Sequence, residues 1–158
     1  MVESADSLPA DLAAVRSALV TWYEDDHRSF PWRETTDPYE ILVSEVMSQQ
    51  TQLDRVVPAW EAFLERWPTV RDLADADRAD VVAFWSEHTL GYNNRATYLH
   101  EAATQVVEEW DGAIPDTPAD LQTLQGVGPY TANAVASFAF DDGDAVVDTN
   151  VKRVLHRA

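Results

Sequence analysis

The 158-residue chain contains no cysteine, which excludes disulfides and thiolate metal sites among these residues. Lysine is almost absent: of eleven basic residues ten are arginine, and Lys152 stands alone. No apolar run approaches the roughly 20 residues of a membrane-spanning helix. The opening MVESADSLPADLAA lacks the basic and apolar regions of a secretory signal, so a cytoplasmic location with no membrane partner is expected. Strand-like alternation is nearly missing as well, the short AVV at 145–147 excepted. His27, His88, His100 and His156 converge by no helical spacing, and no metal cluster is expected from them.

What is present is apolar and acidic. A hydrophobic content of 46% with six tryptophans argues against disorder and allows one domain with a moderate core. The net charge is −17. Acid excess with so little lysine looks like adaptation to molar salt, as in a halophile, where the Debye length falls to roughly 3 Å and surface repulsion is screened. That reading weakens the rule that nucleic-acid binders are basic; the alternative is an acidic protein with no polyanionic partner. The last eight residues, VKRVLHRA, carry Lys152, Arg153 and Arg157 and no acid, so positive charge gathers at the end.

Leu12, Val15, Leu19 and Trp22 recur at helical spacing, which predicts an amphipathic helix over 11–24. A Pro-broken loop, HRSFPWRETTDPY, follows. Asp37-Pro38-Tyr39-Glu40 resembles a capping box with proline at the first helical position, opening a helix to about Gln49. Val56, Val57, Trp60, Phe63 and Leu64 mark the next, closed by Pro68. Further helices are expected over 78–86, over 94–110 and from the Thr117-Pro118-Ala119-Asp120 cap to Leu124. A small-residue helix over 129–140, a DDGD turn and a last helix from near Asp148 complete an all-α fold. That last helix is still in its apolar pattern (Val151, Val154, Leu155) when the sequence stops at Ala158, and a fragment is expected.

Two stretches carry chemistry. Glu45 stands among Ile41, Leu42, Val43, Val46 and Met47. An uncompensated buried carboxylate costs several kcal/mol, so this one has either a partner or a task. In LQTLQGVGPYTA, Gly126 and Gly128 flank Val127 between two helices. Such a turn is too tight for side chains, with Val127 plugging the junction. Its amides and those of the next helix's first turn can hold a phosphate oxygen without reading a base. The alternative is an ordinary tight helix connection.

The hairpin, followed eighteen residues after Tyr130 by Asp148 in VVDTNVKRVLHR, resembles the helix-hairpin-helix DNA glycosylases similar to endonuclease III. FPWRETTDPYEILVSEVMSQQTQ and LGYNNRATYLHEAA narrow the resemblance to the adenine DNA glycosylases of MutY type, from about Ala18 to Arg157. It implies a six-helix barrel over 25–140 with the hairpin at 121–132. An arm and first helix over 1–24 would precede it, and a catalytic-aspartate loop with a cut-short helix over 141–158 would follow. It also implies double-stranded DNA carrying adenine opposite guanine or 8-oxoguanine as partner, and a monomer.

Implied roles follow residue by residue. Glu45, its pKa raised by desolvation, would protonate N7 of a flipped adenine. Asp148, at a helix start that favours the ionised form, would stabilise the oxocarbenium-like sugar; alone it would read as an N-cap. Arg28, Tyr130 and Asn150 would line the pocket. Gln49 and Gln50 would enter the duplex, Gln50 as the intercalator, and Tyr92 would wedge beside the opposing purine. Gly126, Val127, Gly128, Thr131 and Lys152 would meet the DNA backbone. A phenol at Tyr130, where the related lyases place a lysine, cannot form the imine of strand cleavage, so a monofunctional hydrolase is expected.

The sequence departs from the family pattern at Ser48, at Asn93 and in WSEHTLGY, two residues longer than usual, so a bulged loop is expected there. Family members usually continue with a four-cysteine [4Fe–4S] loop and further helices; no cluster is expected within this chain. Without those helices the first and last helices would expose apolar surface. Rival expectations are a thymine or uracil mismatch glycosylase of the same fold, and a DNA-binding remnant without catalysis.

Overall fold

The computed structural model describes residues 10–142 and 145–157. Nine α-helices and one 3₁₀ turn, Pro31–Arg33, are found among them, with no strand. The helices are α1 (Ala10–Asp26), α2 (Pro38–Ser48), α3 (Leu53–Arg66), α4 (Val70–Asp75), α5 (Arg78–Glu87), α6 (Asn94–Glu109), α7 (Pro118–Leu121), α8 (Pro129–Phe140) and α9 (Thr149–Leu155). The all-α expectation holds, and residues 145–147 take no regular structure. Gly143 and Asp144 of the expected DDGD turn lie outside the described residues.

The chain divides into two compact units, one ending at Phe30 and one beginning at Pro31. In the first, α1 exposes Leu12, Val15, Leu19 and Trp22, each about half accessible (51%, 50%, 55% and 57%). His27 stacks on Tyr23, ring centroids 4.7 Å apart.

The second unit is organised around α2. Asp37 caps it, its Oδ1 accepting from the amides of Tyr39 (2.8 Å) and Glu40 (3.3 Å), with Pro38 in the first turn. The expected reciprocal box does not close, because the Asp37 amide donates instead to Thr35 Oγ1 at 3.1 Å. Tyr39, Ile41, Leu42, Val43, Ser44, Val46 and Met47 are all buried, as befits a helix that is apolar nearly all round. Helices α3, α6 and α8 pack against it, while α4 and α5 pack on α6, and α7 on α8. Trp85, Phe63, Ile41 and Leu42 are among the large side chains enclosed, each contributing roughly 1.5–3 kcal/mol by leaving water.

Helix α4 falls where the sequence pattern predicts none. Thr69 and Asp72 form a true capping box there, and Val70 and Leu73 are buried. In α9, Val151, Val154 and Leu155 are exposed (38%, 60% and 67%), and the helix closes at Leu155 in a turn through His156.

Candidate active site

The last turns of α2 and the first of α8 are where the sequence concentrates its unusual residues, and those two helices pack together. Burial pushes the Glu45 carboxyl up to about 7, because desolvation penalises the charged form. Tyr130, second residue of α8, is 43% exposed. Its phenol is raised above its ordinary value by burial first, then by the negative charges of Glu45 and Asp148. Coulombic influence decays with distance and solvent, so a hydroxyl that senses both carboxylates places the two acids in one neighbourhood. Asp148 caps α9, and its Oδ1 accepts from the Val151 amide at 2.7 Å.

The other expected site residues have contacts of their own. Asn150 is exposed and its Oδ1 accepts from Arg153 Nη2 at 2.7 Å, along its own helix. Arg28 belongs to the first unit, where its guanidinium lies 5.2 Å from the centroid of the Phe30 ring. Lys152 is exposed on α9.

The hairpin between α7 and α8 has Val127 as its plug, 7% exposed, its amide donating to the Leu124 carbonyl at 3.1 Å. Gly126 has φ +75°, and a Cβ there would meet Tyr98 Cβ at 2.7 Å, so only glycine fits. Gly128 differs from expectation. Its backbone is extended (φ −86°, ψ 178°) and a Cβ would meet nothing within 4 Å. The turn is therefore tight on one side only, and the Gly128 side faces open space. The first-turn amides of α8 have no intrahelical partner, as at any helix start. Thr131 is not on that surface: it is 3% exposed and its hydroxyl accepts from Gln49 Nε2 at 3.2 Å. A cavity of about 20 Å³ lies behind the hairpin, lined by Gln49, Arg95, Tyr98, Gln125 and Gly126 among others. It has room for about one water, not for a purine.

Gln50 and Tyr92 occupy two neighbouring loops, both exposed and both left-handed (φ 57° and 48°). In the WSEHTLGY segment, where a bulged loop is expected, Thr89 and Gly91 also have positive φ, 52° and 70°.

One residue here escaped the sequence reading. Arg95, 7% exposed, donates through Nη1 to the carbonyls of Val46 (3.0 Å), Met47 (3.3 Å) and Gln49. Through Nη2 it donates to the carbonyls of Leu90 (2.6 Å) and Gly91 (3.1 Å) and to Thr51 Oγ1 (3.0 Å). Its guanidinium lies 5.5 Å from the Trp85 ring centroid and 5.7 Å from that of Tyr92. The available signal was its spacing: Arg95 precedes Leu99 by one helical turn, on the buried face of α6.

Among the described residues no group of histidine and carboxylate side chains could hold a metal ion, and no helix is long and apolar enough to cross a membrane. Residues 43–158 match the HhH-GPD superfamily of base excision DNA repair proteins. The chain belongs to that superfamily. An HhH-GPD chain with this hairpin has close curated relatives. The adenine DNA glycosylase of Mycobacterium tuberculosis (strain ATCC 25618 / H37Rv) is 48% identical over 141 residues, 89% of this chain and 46% of the relative. That of Rattus norvegicus is 45% identical over 157 residues, covering 94% of this chain and 30% of its own. Among solved HhH-GPD-like structures, a thermostable thymine-DNA glycosylase superposes with a TM-score of 0.84 at 32% identity, covering 90% of this chain and 65% of that one. A trapped endonuclease III–DNA covalent intermediate gives 0.78 at 25% identity, covering 91% and 66%. The chain thus spans less than half the length of these curated relatives.

Proposed function

We propose that this chain carries the catalytic machinery of a monofunctional DNA glycosylase that hydrolyses the N-glycosidic bond of adenine mispaired with guanine or 8-oxoguanine. What supports the reading is the packing of α2, which carries Glu45, against α8, which carries Tyr130, with Asp148 capping α9 and both acids raising the Tyr130 phenol. Two carboxylates in one site, one desolvated and one seated at a helix start, are what glycosidic chemistry uses. Curated relatives named adenine DNA glycosylase favour adenine as the base.

In this mechanism the duplex backbone docks on the free amides at the start of α8, and the target nucleotide leaves the stack at a cost of a few kcal/mol. Glu45, holding its proton near neutrality, gives it to N7 of the purine. The glycosidic electron pair then departs with the base. The Asp148 carboxylate faces the sugar as positive charge grows on it, and water adds at C1′, its released proton replacing the one Glu45 gave up. The products are free adenine and an abasic site. Tyr130 offers no amine, so no imine forms and the strand stays intact. These residues include no cysteine, so they do not fit a [4Fe–4S] cluster, and the proposed chemistry uses none.

Single-turnover release of adenine from an A:G duplex tests the proposal. Glu45→Gln should abolish release while keeping duplex binding; release at the wild-type rate would remove Glu45 from the mechanism. The likeness to a thymine-DNA glycosylase favours a second reading, a T:G mismatch glycosylase. Release from T:G but not A:G duplexes would establish that instead.

A further inference from the structure

Arg95 is a buried cation with six neutral oxygen partners: five backbone carbonyls and one hydroxyl. Three of those carbonyls close α2, where the helix dipole places negative charge. No glycine ends that helix; Gln49 leaves it with extended backbone (φ −63°, ψ 115°) and Gln50 turns left-handed. Arg95 supplies the cap from outside. Its other nitrogen holds Leu90 and Gly91, directly before left-handed Tyr92. Thr51 joins the two sides: its hydroxyl accepts from Arg95 Nη2 and donates to the Leu90 carbonyl at 2.9 Å. Beneath this, Trp85 Nε1 donates to the Gly91 carbonyl, also at 2.9 Å.

Two exposed, non-glycine side chains on positive-φ backbone therefore project from adjacent loops, and one guanidinium fixes both loops to the helix that carries Glu45. Strain of this kind persists only where the surroundings over-determine it, and it collects at working sites. We propose that Arg95 is a positioning residue that locks the Gln50 and Tyr92 loops into one rigid unit, so that both side chains press into duplex DNA together beside the extruded base. This rests on the glycosylase reading above. Lysine cannot replace the arginine: a point charge lacks the planar fork that reaches both loops at once.

The test has two arms, both on the full chain. In the free protein, amide hydrogen exchange of Arg95→Lys should show residues 49–52 and 89–93 losing protection together, with α3, α4 and α5 unchanged. Should Arg95→Lys fail to fold, Thr51→Val removes the bridging hydroxyl, and the same two segments should loosen by a smaller factor. With DNA, 2-aminopurine placed as the target base should brighten on binding wild type as it leaves the stack. In the variant that extrusion should fall roughly 10- to 100-fold, the cost of an ångström-scale misplacement. Protection lost from one segment only, or evenly throughout, overturns the proposal. So does undiminished extrusion by a variant whose two segments have loosened. A wild type that releases no adenine would count against the proposed function, while the exchange arm would still decide the clamp.

Discussion

Glu45 folds with its proton. Burial lifts its carboxyl from 4.5 to about 7, so the native state binds that proton more tightly than the unfolded chain does. The stabilisation is whole below about pH 4.5 and is lost as pH rises through about 7, a total near 3 kcal/mol. Glu45→Gln should therefore match wild type in urea denaturation at pH 4 and exceed its stability at pH 8 by up to that amount. Equal stability at both would mean the carboxyl is better solvated than its surroundings imply. Base release should also fall as pH climbs above 7, since the acid is then ionised. Glu45 was legible because an acid amid apolar neighbours breaks the helical pattern. Arg95 was not. An arginine at a helix start reads as a solvated side chain, and its acceptors are backbone carbonyls, which have no identity in a sequence.

At the scale of elements, local chemistry and its sequence signature sometimes part. The four residues from Asp37 promise a reciprocal box, yet Thr35 intercepts the amide. Thr69 and Asp72 build one unannounced, because α4 is only six residues long and gives periodicity nothing to repeat over. The long helices α2, α3 and α6 fall close to where apolar spacing puts them. The hairpin divides the same way. Gly126→Ala, forced to φ +75° against Tyr98, should cost about 1–3 kcal/mol, read as a lowered urea midpoint. Gly128→Ala should leave stability nearly unchanged but weaken duplex binding, since its Cβ would enter the space proposed for a phosphate. Equal destabilisation by both would return the turn to an ordinary connection.

For the whole molecule, charge dominates. Against 28 acidic residues, ion pairs such as Arg66–Asp80 (3.6 Å), Arg71–Asp111 (3.1 Å) and Arg78–Glu101 (3.6 Å) lie at accessible sites. Exposed pairs of this kind contribute about 0–1 kcal/mol each, far too little to offset the mutual repulsion of the acids. Raising KCl from about 0.1 M to the molar range shortens the Debye length from about 10 Å to 3 Å. The melting temperature should rise steadily across that range; a flat or falling profile by circular dichroism would show that repulsion does not limit the fold. Composition made this legible, whereas the loops proposed to meet DNA are held by carbonyls and needed three dimensions.

Scarcity of lysine has one further consequence. Beyond the α-amino group, the only aliphatic amine in the chain is Lys152, exposed on α9 four residues after Asp148. Acylating reagents thus address a single side chain on the helix that Asp148 caps, and that amine offers a ready-made footprint: whatever occludes this face shields it.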